Sequence, residues 1–179
     1  TWTFWALAGH PEVALRLAQE ASTLGDATPG VDALQRLAYT RMVIHEVLRL
    51  YPPAWSVPRT IRAEDEILGY RIPAGAHILL SVYHVHRHPE YWESPAEFRP
   101  ERFAGEASER HKYAYLPFSL GPRTCIGNSF SLLEAALVLA RIVQRFRVEV
   151  EPGFQVRLAA STVLRPGGGL LVRLAAAPR

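Results

Sequence analysis

Cys125 is the only cysteine of the 179-residue chain, and it stands in the run Phe118-Ser119-Leu120-Gly121-Pro122-Arg123-Thr124-Cys125-Ile126-Gly127. A glycine lies four residues before it, an arginine two before it and a glycine two after it, and a long apolar run begins just beyond. Gly121 and Gly127 permit backbone turns, or the close approach of a flat partner, that a side chain would block. A helix opening after Gly127 points its free N–H groups and the positive end of its dipole toward the sulfur. With Arg123 beside it, such a position favours thiolate over thiol. Four uses of that sulfur are open. A structural zinc site needs about four ligands, and no second cysteine exists to begin one. A Cys–His nucleophile is possible, since histidines occur elsewhere. Axial ligation of heme iron needs only one thiolate. A buried, inert cysteine needs no chemistry at all.

Two further groups could carry chemistry or support it. Glu46 and Arg49 are three residues apart in a helical pattern, so their side chains can meet on one face. As an ordinary surface pair they would contribute about 0.2–0.5 kcal/mol. Their neighbours Val43, Ile44, Val47 and Leu48 are apolar, which points to burial instead. His84, His86 and His88 alternate, which on a strand would put three imidazoles on one face. No cysteine or carboxylate within that run completes a metal shell, so a structural role is expected.

The elements that must position these residues follow from pattern. Trp2, Phe4, Trp5 and Leu7 form an uncapped apolar stretch ended by Gly9, expected to be the last turns of a helix that begins upstream. Pro11 opens a second helix, with Val13, Leu15, Leu17 and Ala18 as its apolar side. A loop over 22–30 and a short turn at Leu34 and Leu37 lead to a strong helix from Thr40 to Tyr51, stopped by Pro52-Pro53. Residues 57–81 read as β structure with turns at Leu68-Gly69-Tyr70 and Pro73-Ala74-Gly75, and the charged run 62–66 as a solvated turn. Residues 89–103, rich in Pro and aromatics, read as an irregular packed segment. Ser129 to Phe146 is apolar on nearly all sides, as for a buried helix, and Val148 to Leu174 is again β-like. The Gly167-Gly168-Gly169 turn is no nucleotide loop, because no strand–helix unit follows it.

Composition is globular, 49% hydrophobic and 21% charged, and the length suits one domain. The net charge is +3 with Lys and Arg spread along the chain, so nucleic acid is not an expected partner. One cysteine forms no intramolecular disulfide, which fits a reducing compartment. No apolar run spans a bilayer and no signal peptide is visible. The expectation is a soluble, cytoplasmic chain, with membrane attachment through upstream residues left open.

The spacing Phe-x-x-Gly-x-Arg-x-Cys-x-Gly resembles the heme-binding signature of the cytochrome P-450 superfamily of heme-thiolate monooxygenases. Glu46-Val47-Leu48-Arg49 is similar to its Glu-x-x-Arg motif, and Phe98-Arg99-Pro100-Glu101-Arg102-Phe103 to its Pro-Glu-Arg-Phe element, in family order. The resemblance spans essentially the whole chain but only the C-terminal part of a full member. It implies a mainly α fold with small β-sheets, residues 1–179 forming the C-terminal heme-binding portion of a single domain. It implies heme b (iron protoporphyrin IX), with Cys125 as catalytic axial ligand and Phe118, Arg123, Gly127 and Arg59 as further heme contacts. Arg59 and Arg123 would pair with heme propionates, which suits the paired donors of arginine; the alternative for Arg59 is a solvated strand residue. Glu46, Arg49 and Arg102 would form a supporting ion network. His86-Arg87-His88-Pro89 resembles the family's structural His-Arg-Asp-Pro stretch, with His88 replacing the acid. Ala54-Trp55-Ser56-Val57 and Thr162-Val163 would line the substrate pocket; the alternative for both is plain core packing.

The implied activity inserts one oxygen atom of O₂ into an organic, hydrophobic substrate, with electrons from a ferredoxin or flavin reductase type of partner. Arg110, His111, Lys112, Arg141 and Arg145 would offer that acidic partner a basic face. A heme-thiolate isomerase or dehydratase, or a non-catalytic heme-binding sensor, would keep the same proximal motif. A third alternative is that the chain alone is an inactive fragment that does not enclose heme. Ser119 and Leu120 depart from the family, where many members have glycine. The family's distal Ala-Gly-x-x-Thr segment and the tryptophan and arginine of the other heme edge would lie upstream.

Overall fold

A computed structural model describes residues 1–26, 29–105 and 110–177. Helix α1 (Trp2–Ala8) ends at Gly9, and α2 (Pro11–Ser22) starts with proline at its first position. There the missing N–H costs nothing. Val13, Leu17 and Ala21 are buried at four-residue spacing, whereas Leu15 is exposed. The expected place of Leu15 on the apolar side is therefore corrected: two residues turn a helix by about 200°, to the opposite face.

A 3₁₀ turn, Val31–Arg36, leads to α3 (Ala38–Leu50), which begins two residues before the expected start. No neighbouring side chain caps α3. Glu20 of α2 reaches across instead, its carboxylate accepting the N–H groups of Tyr39 at 2.6 Å and Thr40 at 2.8 Å and the Thr40 hydroxyl at 2.6 Å. It thereby satisfies N–H groups that a helix start leaves open. Glu20→Ala should lower unfolding free energy by about 1–3 kcal/mol, the range for hydrogen bonds to a charged group. An unchanged denaturant midpoint would show that water caps this helix equally well.

After Pro52-Pro53 come two nested antiparallel pairs. β1 (Val57–Thr60) pairs with β4 (His77–Leu80), and between them β2 (Asp65–Ile67) pairs with β3 (Tyr70–Ile72). Leu68 and Gly69 make the tight turn with φ of 52° and 82°, the left-handed geometry that a two-residue hairpin requires. Asp65 and Glu66 belong to β2, so the solvated charged turn is shorter than expected. A one-turn helix α4 (Val82–Val85) and an irregular stretch reach a 3₁₀ turn, Pro100–Phe103. Beyond the cysteine loop, α5 (Asn128–Arg145) runs into β5 (Phe146–Val150). β5 pairs with β8 (Val172–Ala176), and β6 (Leu158–Ala160) with β7 (Leu164–Pro166).

The main core joins α2, α3 and α5 through Leu17, Leu37, Val43, Ala136, Ala140 and Val143. A second cluster holds Trp2, Ala6, Val47 and Leu164, with Trp2 stacked on Tyr51 at 4.5 Å and its indole N–H on the Leu164 carbonyl at 3.1 Å. Only one face of α5 is buried; Phe130 and Val138 are exposed, which corrects the expected all-round burial. The helix meets α2 and α3 on that face alone. Among the described residues no helix is long and apolar enough to cross a membrane.

Candidate functional site

The cysteine loop is shaped by its backbone. Gly121 has φ of 72° and opens a 3₁₀ turn, Gly121–Arg123, closed by the Thr124 hydroxyl on the Gly121 carbonyl at 2.8 Å. Cys125 N–H then donates to the Phe118 carbonyl at 2.9 Å, which ties the two ends of the loop together. Of the two departures noted in the sequence, Leu120 is extended and any residue suits it. Ser119 is different: its φ of 62° lies in the left-handed region. A side chain there costs about 1–2 kcal/mol.

Cys125 is exposed and α5 begins three residues later. Among the described residues no hydrogen bond reaches its sulfur. The Asn128 N–H donates instead to the Cys125 carbonyl at 3.4 Å, so the expected engagement of the sulfur by the helix N–H groups is not made. Asn128 Oδ1 is buried without a hydrogen-bond partner in this first turn. Gly127 has φ of −82°, and a Cβ there would meet Cys125 Sγ and Ser131 Oγ at 3.7 Å each, ordinary contact. Nothing within the chain demands glycine at 127; a demand would come from a group seated against the sulfur. Arg123 and Arg59 are exposed. Arg59 pairs across its sheet with Ile78 and donates one N–H to the Pro58 carbonyl.

Behind the loop lies an ion network built on the fully buried pair Glu46 and Arg49. Arg49 Nε and Nη2 donate to the two oxygens of Glu46 at 2.7 and 2.8 Å. Arg49 Nη1 donates to the carbonyls of His86 and Pro95, and Nη2 also to that of Glu97. All five guanidinium donors are thus used. Glu46 Oε1 also accepts from Arg102 Nε at 3.1 Å and from the Arg99 N–H at 2.9 Å. The three residues chosen from the sequence meet, and they bind the irregular 86–102 stretch to α3.

The three histidines do not share a face, because 82–85 is helical rather than extended. His84 bonds Ser81, His88 packs on Tyr91, and His86 is buried. Among the described residues no group of three could hold a metal. Leu116 N–H donates to His86 Nε2 at 2.7 Å, so Nδ1 carries the proton and donates to the Arg49 carbonyl at 3.2 Å. Burial pushes the imidazole down to about 4. A folded value below the ordinary 6.5 means that neutral His86 stabilises the fold above pH 6.5. That contribution, about 3 kcal/mol for such a shift, is lost as pH falls from 6.5 to 4. Unfolding free energy should fall across this window, and less steeply in His86→Gln; equal slopes would show that His86 does not govern it.

Sequence reasoning missed the ring cluster beneath the loop. His45 Nδ1 lies 2.9 Å from the Tyr115 hydroxyl, and Phe103, Trp92 and Tyr115 pack together. Burial, ahead of Arg41 and Arg110, brings His45 to about 4. It raises Tyr115 well above the usual phenol range. No spacing in the sequence links 45 to 115. The expected basic face is corrected in part. Arg110 lies over the Phe103 ring at 4.5 Å and donates to the Arg102 carbonyl, and Arg141 donates to the Gly25 carbonyl and Gln144. Both hold the chain's own parts together.

The two segments expected to line the pocket are joined. The Trp55 indole N–H donates to the Ser161 carbonyl at 2.7 Å, and Leu164 N–H to the Pro53 carbonyl at 2.9 Å. Ala54, Thr162 and Val163 are exposed, Trp55 and Val57 half-buried. A cavity of about 1600 Å³ lies elsewhere, between α1, α2 and β5, and is lined by none of the residues expected to contact heme, form the ion network or line the substrate pocket.

A family model described as cytochrome P-450 matches residues 1–172. Human cytochrome P-450 4V2 is 36% identical over 178 residues, covering 97% of this chain and 34% of that protein. Mouse thromboxane-A synthase is 38% identical over 176 residues, 95% of this chain and 33% of its own. Secologanin synthase 2 of Catharanthus roseus is 40% identical over 158 residues, 86% of this chain and 30% of its own. The chain spans about a third of the length of the curated relatives it matches.

Proposed function

Since the chain belongs to the cytochrome P-450 family, we propose that residues 1–179 are the C-terminal heme-binding portion of a monooxygenase acting on a hydrophobic organic substrate. The observation that carries this reading is the exposed sulfur of Cys125, free of hydrogen bonds among the described residues, on a loop pinned by the Phe118 carbonyl. Family membership brings a heme cofactor, and we take it to be heme b. Bound there, it supplies the reduction of O₂ by two electrons and insertion of one oxygen atom into substrate, the other leaving as water.

Cys125 would ligate the iron, with its main-chain N–H tied to the Phe118 carbonyl. Gly127 would leave room for the heme beside the sulfur, and Phe118 would contact it. Arg123 and Arg59, exposed and cationic, would pair with the heme carboxylates. Ala54, Trp55 and Val57, tied to Thr162 and Val163 through the Trp55–Ser161 bond, line the substrate side. A ferredoxin or flavin reductase type of partner delivers electrons on the sulfur side, where Lys112 and Arg145 remain exposed. We place this portion in the cytoplasm, where a lone cysteine stays reduced.

Similarity to thromboxane-A synthase favours a second reading, a heme-thiolate isomerase or dehydratase. Turnover of the full-length protein under isotopically labelled O₂ separates the two. A monooxygenase places one labelled atom in product and one in water. Product without label would overturn monooxygenation and support the second reading.

A further inference from the structure

The ring of His86 does more than fill space between the ion network and the cysteine loop. It is fully buried and 37 residues away from Arg49 on one side and 30 from Leu116 on the other. Toward α3, its Nδ1–H meets the carbonyl of Arg49, one of those that a helix C-terminus leaves without an internal partner. The bond is reciprocated, because Arg49 Nη1 donates to the His86 carbonyl at 2.9 Å. Toward the loop, Nε2 receives the Leu116 N–H at 2.7 Å. Two residues further on, the Phe118 carbonyl receives the Cys125 N–H at 2.9 Å, and between them the Leu116 carbonyl receives the Ser119 N–H at 3.2 Å. A continuous path of hydrogen bonds and backbone thus runs from the buried Glu46–Arg49 pair to the backbone of Cys125.

We propose that His86 is a positioning residue for Cys125. Its neutral ring joins the end of α3 to Leu116, and so sets where the 116–118 segment and the cysteine it carries stand relative to the buried network. Only one tautomer serves, with the proton on Nδ1, because a proton on Nε2 would face the Leu116 N–H. The Tyr115 ring, 5.1 Å from the imidazole, packs against it and holds its plane. The proposal rests on the reading of Cys125 as heme ligand.

Two substitutions split the two bonds. His86→Asn can place an amide N–H where Nδ1–H was and keep the Arg49 bond, but nothing then reaches Leu116. His86→Gln can place its amide oxygen where Nε2 was and keep the Leu116 bond, at the expense of the Arg49 bond. Both are made in the full-length, heme-loaded protein. Three quantities are read: the share of the reduced carbon-monoxide complex with the thiolate-type Soret band, amide exchange at Leu116 and Cys125, and the thermal midpoint. In His86→Asn the thiolate share should fall several-fold, and exchange at the two amides should rise by about tenfold, the loss of one hydrogen bond. His86→Gln should keep both near wild type even where its midpoint drops. Parallel losses that follow the midpoint in both variants would make His86 a general packing residue and overturn the proposal, as would an unchanged thiolate share in His86→Asn. If His86→Asn does not fold, His86→Gln decides alone, retention of the band supporting the proposal and its loss overturning it. Failure of the underlying reading shows separately, as a thiolate band that survives Cys125→Ala with His86 intact.

Discussion

Arg49→Ala should destabilise the protein by about 3–5 kcal/mol and leave it unable to retain heme, because it strands a buried charge. Glu46 and Arg49 are both 0% exposed. Without the guanidinium, the Glu46 carboxylate keeps only Arg102 Nε and the Arg99 N–H. The carbonyls of His86, Pro95 and Glu97 lose their donor at the same time. The prediction concerns breaking the pair, not its worth against an apolar replacement, which for buried ion pairs is often nothing. A loss of this size is a large part of a domain's total of about 5–15 kcal/mol. Arg49→Lys should fare little better, because one ammonium cannot reproduce the forked donors that reach a carboxylate and three carbonyls. Heme content and denaturant midpoint of the full-length variants check this. Normal values for Arg49→Ala would mean that water or a shifted Arg102 replaces the guanidinium, and that the network supports nothing.

The parts of this site that depend on local spacing were legible in the sequence. A spacing of three from Glu46 to Arg49 puts both on one helical face, and helix periodicity alone gives α3 its apolar side. The turn before Cys125 follows from Gly121, whose positive φ only glycine adopts cheaply. What spacing does not encode is the partner brought in by the fold. Glu20 caps a helix nineteen residues away, and Tyr115 meets His45 across seventy. Arg110 looked like a steering charge because a sequence shows that arginine is cationic, not that Phe103 lies under it. The same blindness misplaced Leu15, where a run of apolar types hid a half-turn of helix. Ser119 shows the converse: the sequence gives only a departure from glycine, and the strain it carries follows from its φ.

Cys125→Ala should abolish the thiolate-type Soret band of the reduced, carbon-monoxide-bound full-length protein while leaving the fold intact. The two halves of that expectation come from the same geometry. Cys125 is exposed, and no hydrogen bond among the described residues depends on its sulfur, so removing that atom strands nothing. The loop is held by main-chain bonds that alanine keeps, from Cys125 N–H to Phe118 and from Thr124 to Gly121. An exposed substitution of this kind changes stability by about 0.5 kcal/mol or less. The apoprotein should therefore unfold at the wild-type denaturant concentration, in contrast to Arg49→Ala, where ligand and fold are lost together. A variant that folds normally and still shows the thiolate band would remove Cys125 as the ligand. A variant that fails to fold would show that the side chain packs in a way its exposure denies. Loss of the band in a folded protein assigns the sulfur its chemistry, and set beside the loss of fold in Arg49→Ala it separates ligation from the support given by the buried network.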